Sequence, residues 1–240
     1  MTKETTSKFI FDVDGTLTPS RGLIDKKFAE YFLIFCHSND VYLVTGSDKP
    51  KTVEQLGQEI YNKCKRVYNC NGNDVWEGEE NIRHNDWTLP EDAHQWLATE
   101  LTESEFPLRT GLHFEHRPGM VNFSIVGRNA TLGERKLYVE WDLKRKERDR
   151  IAHNFNQFFP DLEGKVGGET GIDIAPKGAD KGQILKDFDV EDKLFFFGDR
   201  CDVDGNDYPL AQKIKNSRHI TSWRQTWEYL SWYQEQGIAN

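Results

Sequence analysis

With 240 residues, 37% of them apolar and 30% charged, the chain can bury the core of one or two domains. Its 40 acidic against 31 basic residues, a formal charge of −9, exclude a nucleic-acid groove, which needs a local surplus of lysine and arginine. No apolar run approaches the ~20 residues that span a bilayer. The opening MTKETTSK offers no apolar leader, so a cytoplasmic location without a membrane partner is expected. Cys36, Cys64, Cys70 and Cys201 lack CxxC spacing and are read as reduced thiols.

In chain order, Lys8 to Phe11 is a short β-prone apolar run that ends in Asp12-Val13-Asp14-Gly15-Thr16. That is the pattern of a buried strand delivering carboxylates to a loop. Phe28, Tyr31, Phe32 and Phe35 recur at helical spacing behind Asp25, which is placed to cap that helix. Val41 to Val44 predicts a second buried strand, followed by the turn Thr45-Gly46-Ser47-Asp48 and a helical stretch carrying Val53, Leu56 and Ile60. Arg66 to Asn71 predicts a third strand, and this β, α, β, α, β alternation is what a parallel open sheet requires.

From about Ile82 to Gly178 the rhythm changes. His113 to Glu115 and Val121 to Val126 alternate around a Pro118-Gly119 turn, as in an antiparallel α+β insertion. The mixed-charge run from Glu140 to Arg150 is expected to be a solvated helix face, and His113 and His116 are read as structural. Past Asp180 the α/β rhythm resumes, with a helix around Gly182 to Phe188, a strand from Leu194 to Phe197, then Gly198-Asp199. Ser222 with Gln225 has capping-box spacing, and Trp223, Trp227, Tyr229, Leu230 and Trp232 behind it are expected to pack on the core. The expected organisation is an α/β core of residues 1–81 and 179–240 interrupted by an α+β insertion of residues 82–178.

Three strand ends thus deliver Asp12 and Asp14, Thr45 and Ser47, and Asp199 with Asn206 and Asp207 to the carboxyl edge of one sheet, where open α/β sheets bind ligands. Carboxylates at ~4 Å repel by about 4 kcal/mol per pair at an effective dielectric of ~20, and a divalent cation resolves that conflict. Oxygen donors of this kind favour Mg²⁺, with Asp12, Asp14, Asp199, Asn206 and Asp207 as its candidate residues. Asp12 is the candidate nucleophile. A carboxylate that attacks phosphorus forms an aspartyl phosphate and divides one difficult transfer into two easier ones. Asp14 would protonate the leaving oxygen and deprotonate the incoming one. Thr45 or Ser47, with Lys181, would hold the equatorial oxygens. A calcium-binding module does not fit: counted from Asp12, the EF-hand glycine and bidentate glutamate positions hold Leu17 and Leu23.

The set Asp12-Val13-Asp14-Gly15-Thr16-Leu17-Thr18, Lys181, Gly198-Asp199 and Gly205-Asn206-Asp207 resembles the haloacid dehalogenase superfamily of phosphotransferases. A narrower likeness, to the eukaryotic-type phosphomannomutases, covers nearly the whole chain. It rests on Phe11 to Thr18 with Arg21, Gly46-Ser47-Asp48, Arg117 to Asn122, Gly127-Arg128, Glu134-Arg135, Gly167-Gly168 with Asp173, and Phe196 to Asp199. The resemblance implies a Rossmann-like core with an inserted cap, and Mg²⁺-dependent interconversion of hexose 6-phosphate and 1-phosphate, with mannose as the hexose. It also implies a hexose bisphosphate as activator and a homodimer joined through the caps. A sugar-phosphate phosphatase with the same nucleophile is the alternative. By the same resemblance Arg117, Arg128 and Arg135, helped by Arg21, bind the distal phosphate, and Asp173 binds the sugar. Two departures stand out: Gly171 replaces a serine of the family's pattern, and Tyr208 to Gln212 does not continue the family's usual segment after Asp207.

Overall fold

The structure, a computed structural model, describes residues 7–20, 22–203 and 205–240. Strand β1 (Ser7–Phe11) leads into helix α1 (Lys26–Ser38), whose N-cap Asp25 accepts the backbone N–H groups of Lys27 and Phe28. Strand β2 (Asp40–Val44) is followed by α2 (Lys49–Leu56), capped by Asp48, and α3 (Gln58–Lys63). The expected single helical stretch is broken at Gly57, which takes φ +84° and turns the chain between the two. Strand β3 (Arg66–Asn69) ends two residues earlier than expected, because Cys70, Asn71 and Gly72 all take positive φ. A hairpin of β4 (Asp74–Glu77) and β5 (Glu80–His84) follows.

Next come α4 (Glu91–Glu103), β6 (Phe114–Arg117), β7 (Met120–Phe123), α5 (Leu132–Arg145), α6 (Glu147–Phe158), β8 (Leu162–Gly167) and β9 (Gly171–Pro176). A 3₁₀ helix (Lys181–Asp187) stands where an α-helix was expected, followed by β10 (Lys193–Gly198), α7 (Tyr208–Ala211), β11 (Asn216–His219) and α8 (Trp223–Glu235).

The chain forms two compact units. One takes the described residues through His84 together with Ala179–Asn240, and the other is Asn85–Gly178. Ile82 to His84, expected in the insertion, belong instead to the first unit, because the β4–β5 hairpin turns back on itself and pairs His84 with Asp74.

The first unit is built on a seven-stranded sheet of order β11-β10-β1-β2-β3-β4-β5, parallel through β3 and antiparallel at the β4–β5 edge. Alternation along the central strands feeds two cores. Phe9, Phe11, Phe195 and Phe197 pack with α1, α3 and α8, while Ile10 and Phe196 pack with Ile184, Leu210 and Ile214 on the opposite face. Phe11 stacks on Phe197 with ring centroids 4.8 Å apart, and Phe9 on Phe195 at 5.0 Å. Burying such a ring contributes roughly 1.5–3 kcal/mol, against the ~1–2 kcal/mol of backbone entropy lost by the residue carrying it, so five residues suffice for a central strand. The aromatic face of α8 joins the first of these cores, as expected. Its capping box does not form: Gln225 Oε1 accepts instead from the backbone N–H and hydroxyl of Thr221, which lie within its reach, and Ser222 caps nothing with its side chain.

The second unit is a four-stranded antiparallel sheet, β6-β7-β9-β8, with one apolar face. Val121, Phe123, Ile172 and Ile174 pack against Leu97, Tyr138, Ile151 and Phe155 from α4, α5 and α6. The mixed-charge run is not one solvated helix. Lys146, at φ +55°, divides α5 from α6, and the fold-back buries Asp142 and Glu147. Arg148 Nε then pairs with Asp142 at 2.8 Å, and its Nη1 reaches the carbonyls of Gly168 and Gly171.

Candidate active site

Parallel pairing of β1 with β10 sets Phe11 beside Phe197, so Asp12 emerges next to Gly198 and Asp199, and its backbone N–H donates to Phe197 O at 2.9 Å. Asp12 is 4% exposed, and Lys181 and Asp207 are wholly buried. Lys181 Nζ donates to Asp12 Oδ1 at 2.5 Å and to Asp207 Oδ1 at 2.7 Å. The other Asp207 oxygen accepts the backbone N–H of Arg200 at 3.0 Å, which ties the loop after β10 back under the strand end. Each of Asp12, Asp199 and Asp207 offers an oxygen within 4.8 Å of the others.

The electrostatics follow from this crowding. Burial raises the Asp12 carboxyl well above its ordinary range; Lys181 pulls it down, while Asp207 and Asp199 push it up. Burial works against the Lys181 charge, yet Asp12 and Asp207 outweigh it and keep the ammonium protonated, with its pKa raised. Asp199 is pushed up to about 6, by burial first and then by Asp207, against the pull of Lys181 and Arg200. One ammonium facing three carboxylates leaves a net negative site, and an all-oxygen donor set of that sign suits a hard divalent cation.

The loop after Asp12 is tightly folded. Leu17 N–H donates to Val13 O at 2.9 Å, and Thr226 of α8 donates its hydroxyl to Thr16 O at 2.6 Å. Gly15 takes φ +78°, and a Cβ there would lie 2.3 Å from Asp199 Oδ2. Asp14 accepts from Gln55 Nε2 at 2.9 Å. Thr45, 1% exposed, follows β2 and accepts the Ser47 N–H at 3.1 Å, and the β1–β2 register sets this turn beside the Asp12 loop. Asn206 is exposed, beside the buried Asp207. Arg21 lies outside the described residues.

In the second unit, β-sheet register lines up Glu115, Asn122, Asp173 and Lys165 in one row across the sheet, on the face opposite the apolar core. Asn122 Nδ2 donates to Asp173 Oδ1 at 2.6 Å. Burial raises the Asp173 carboxyl; the Asn122 hydrogen bond, Arg117 and Arg128 lower it, and Glu115 raises it. Arg117 and Arg128 both pair with Glu115, whereas Arg135 pairs with Glu169 at 3.4 Å and keeps a buried Nη2 with no acceptor among the described residues. A Cβ at Gly167 would lie 2.2 Å from Asp173 Oδ2, and one at Gly171 would lie 2.4 Å from Asn122 Nδ2. A side chain at 171 would therefore meet the Asn122 amide, which would have to shift to admit it.

The first unit thus brings together Asp12, Lys181, Asp199 and Asp207, and the second brings together Arg117, Arg128 and Asp173. Sequence reasoning missed Gln55, Glu115 and Asn122. Each makes a side-chain contact spanning strands or loops; alternation along β6 and β7 carried some signal of the latter two, and Asn122 also closes the Arg117 to Asn122 stretch that carries the family resemblance, without a role assigned to it.

The fold is haloacid dehalogenase-like. It superposes with a TM-score of 0.64 at 16% identity on the C-terminal domain of C. albicans trehalose-6-phosphate phosphatase, covering 98% of this chain and 94% of that one. A haloacid dehalogenase-like hydrolase from Bacteroides thetaiotaomicron matches with a TM-score of 0.53 at 13% identity, over 89% of this chain and 90% of that one. The family model for eukaryotic phosphomannomutase matches residues 29–229, and the chain belongs to that family of isomerases. It is 32% identical to a phosphomannomutase of Saccharomyces cerevisiae over 212 residues, 84% of this chain and 83% of the relative. It is also 32% identical to phosphomannomutase 1 of Homo sapiens, over 88% of this chain and 85% of the relative, and 30% identical to a phosphomannomutase of Drosophila melanogaster, over 88% of each. No helix among the described residues is long and apolar enough to cross a membrane.

Proposed function

We propose that the protein interconverts hexose 6-phosphate and hexose 1-phosphate, with mannose as the hexose, through an aspartyl phosphate on Asp12 and a hexose bisphosphate that also serves as activator. The observation that supports this best is the convergence of Asp12, Lys181, Asp199 and Asp207 in a chain of the phosphomannomutase family.

Asp12 Oδ attacks phosphorus, and the sugar oxygen leaves with a proton supplied by Asp14. In the return step Asp14 takes the proton from the incoming hydroxyl, and the carboxyl–phosphate bond breaks. Gln55 holds Asp14 for both steps. Lys181 neutralises charge on the phosphoryl oxygens, with Thr45 or Ser47 donating from the neighbouring turn. Mg²⁺, held by Asp12, Asp199 and Asp207 with Asp14 and Asn206, would neutralise developing charge on the transferring group.

The distal phosphate belongs to Arg117, Arg128 and Arg135, with Arg21, and the sugar hydroxyls to Asp173. A cytoplasmic homodimer joined through the inserted units is part of the same proposal, and light scattering on the purified protein tests the dimer. The function is tested by supplying mannose 1-phosphate, Mg²⁺ and a catalytic amount of hexose bisphosphate. Mannose 6-phosphate is the expected product. Stoichiometric release of inorganic phosphate without isomer would replace the mutase with a phosphatase.

A further inference from the structure

Arg117 stands at the end of β6 and Arg128 just past β7, and one carboxylate ties them together. Glu115 Oε1 accepts from Arg117 Nε at 3.3 Å and from Arg117 Nη2 at 3.1 Å; Oε2 accepts from the same Nη2 at 3.1 Å. The second oxygen also pairs with Arg128 Nε. All three side chains are 20–29% exposed, so the cluster is reachable from solvent. Glu115 thus engages Arg117 through Nε and Nη2 and approaches Arg128 at Nε. Among the described residues, none accepts from Arg117 Nη1 or from either Arg128 Nη.

We infer that Glu115 is a positioning residue of the distal-phosphate site, holding Arg117 and Arg128 at a fixed spacing with their free edges available to one phosphate and reducing the pair's charge from two to one. This rests on the reading that these arginines receive a phosphate. Two consequences follow from the chemistry. The planar fork of arginine meets a phosphate in one orientation, and the bidentate Glu115 contact sets that orientation for Arg117, which governs how the sugar phosphate is aligned for transfer more than how tightly phosphate is held. A bare pair of arginines would also grip any phosphate tightly, whereas a mutase must release its distal phosphate in every cycle so that the sugar can reverse.

The test is calorimetric titration of the full-length protein with inorganic phosphate in EDTA, where the three core carboxylates repel the anion. Glu115→Gln removes the charge and frees arginine donors, so phosphate is expected to bind at least tenfold more tightly than to the wild type. Glu115→Asp keeps the charge with a shorter reach, so its phosphate affinity is expected within threefold of the wild type, while its kcat for hexose phosphate falls at least fivefold through lost alignment. Unchanged or weaker phosphate binding by Glu115→Gln would overturn the inference, since a purely structural role cannot raise an affinity. Should Glu115→Gln fail to fold, Glu115→Ala carries the same expectation. The phosphate titration needs no turnover, so a wild-type protein that forms no hexose isomer would defeat the proposed reaction and leave this result readable.

Discussion

Lys181 Nζ lies 2.5 Å from Asp12 Oδ1, although 169 positions separate them in the chain. The contact joins the start of a 3₁₀ helix to the end of strand β1 and offsets the cost of a carboxylate in a buried place. Breaking a buried ion pair from one side costs roughly 3–5 kcal/mol, because the partner charge is left uncompensated. Lys181→Met is therefore expected to lose about that much stability at neutral pH in EDTA, measured by denaturant unfolding, and to lose phosphoryl transfer. Wild-type stability in the variant would show that the ammonium does not offset the carboxylates.

The roles given to Asp12 and Asp14 separate when the leaving group needs no proton. With acetyl phosphate as donor, Asp12→Asn is expected to acquire no covalent phosphate, as read by intact-protein mass spectrometry. Asp14→Asn should still be labelled, yet its turnover of hexose phosphate should fall by about 10²–10⁴, the usual contribution of a positioned acid–base group. Labelling of Asp12→Asn would place the nucleophile elsewhere.

Gln55 is 1% exposed and donates to Asp14 at 2.9 Å. Leucine fills a similar volume but cannot hold the carboxylate, and small displacements of a reacting group cost up to ~10²-fold in rate. Gln55→Leu should lower kcat at least tenfold while acetyl phosphate labelling of Asp12 persists. Parallel loss of both would mean that Gln55 supports the fold of the loop and not the aim of Asp14.

Glu147, 5% exposed, accepts from the Tyr138 hydroxyl at 3.3 Å in the second unit. Burial raises its carboxyl above the usual range, against lowering by Ser104, Tyr138 and Arg150. A folded-state pKa above the unfolded value stabilises the protein at low pH, and that contribution is lost as pH rises through the folded value. Glu147→Gln escapes the loss. Its Tm relative to wild type is expected to climb as pH rises from about 4, where an ordinary glutamate ionises, towards neutrality. A difference that stays flat across that range would contradict the assignment.

The convergence of the core carboxylates was legible because they sit where a local pattern changes: a buried apolar run stops, and Asp12 or Asp199 follows at once. The same rule marked Thr45 at the end of β2. What escaped were properties that depend on a partner far along the chain or on a single backbone angle. Gln55 looks like one more polar residue in α2 until the fold sets it against Asp14. Lys146 gives no warning in a run of charged helix formers that it will adopt a left-handed conformation, and with that turn unseen the burial of Asp142 and Glu147 could not be anticipated. Glu115 had the alternation of a strand, but a carboxylate between two arginines emerges only when β6 and the segment after β7 are side by side.

The close approach of Gly15 to Asp199 binds the fates of two positions that never pair in the sheet. With the aspartate in place, even a methyl group at 15 would collide with its carboxylate, and the backbone there disfavours any side chain. In a mutagenesis library, position 15 should thus admit glycine alone whenever 199 remains acidic, and shortening residue 199 would relieve the collision without relieving the backbone. Variation at position 15 is therefore closed off twice, once by the carboxylate across the strand ends and once by its own backbone.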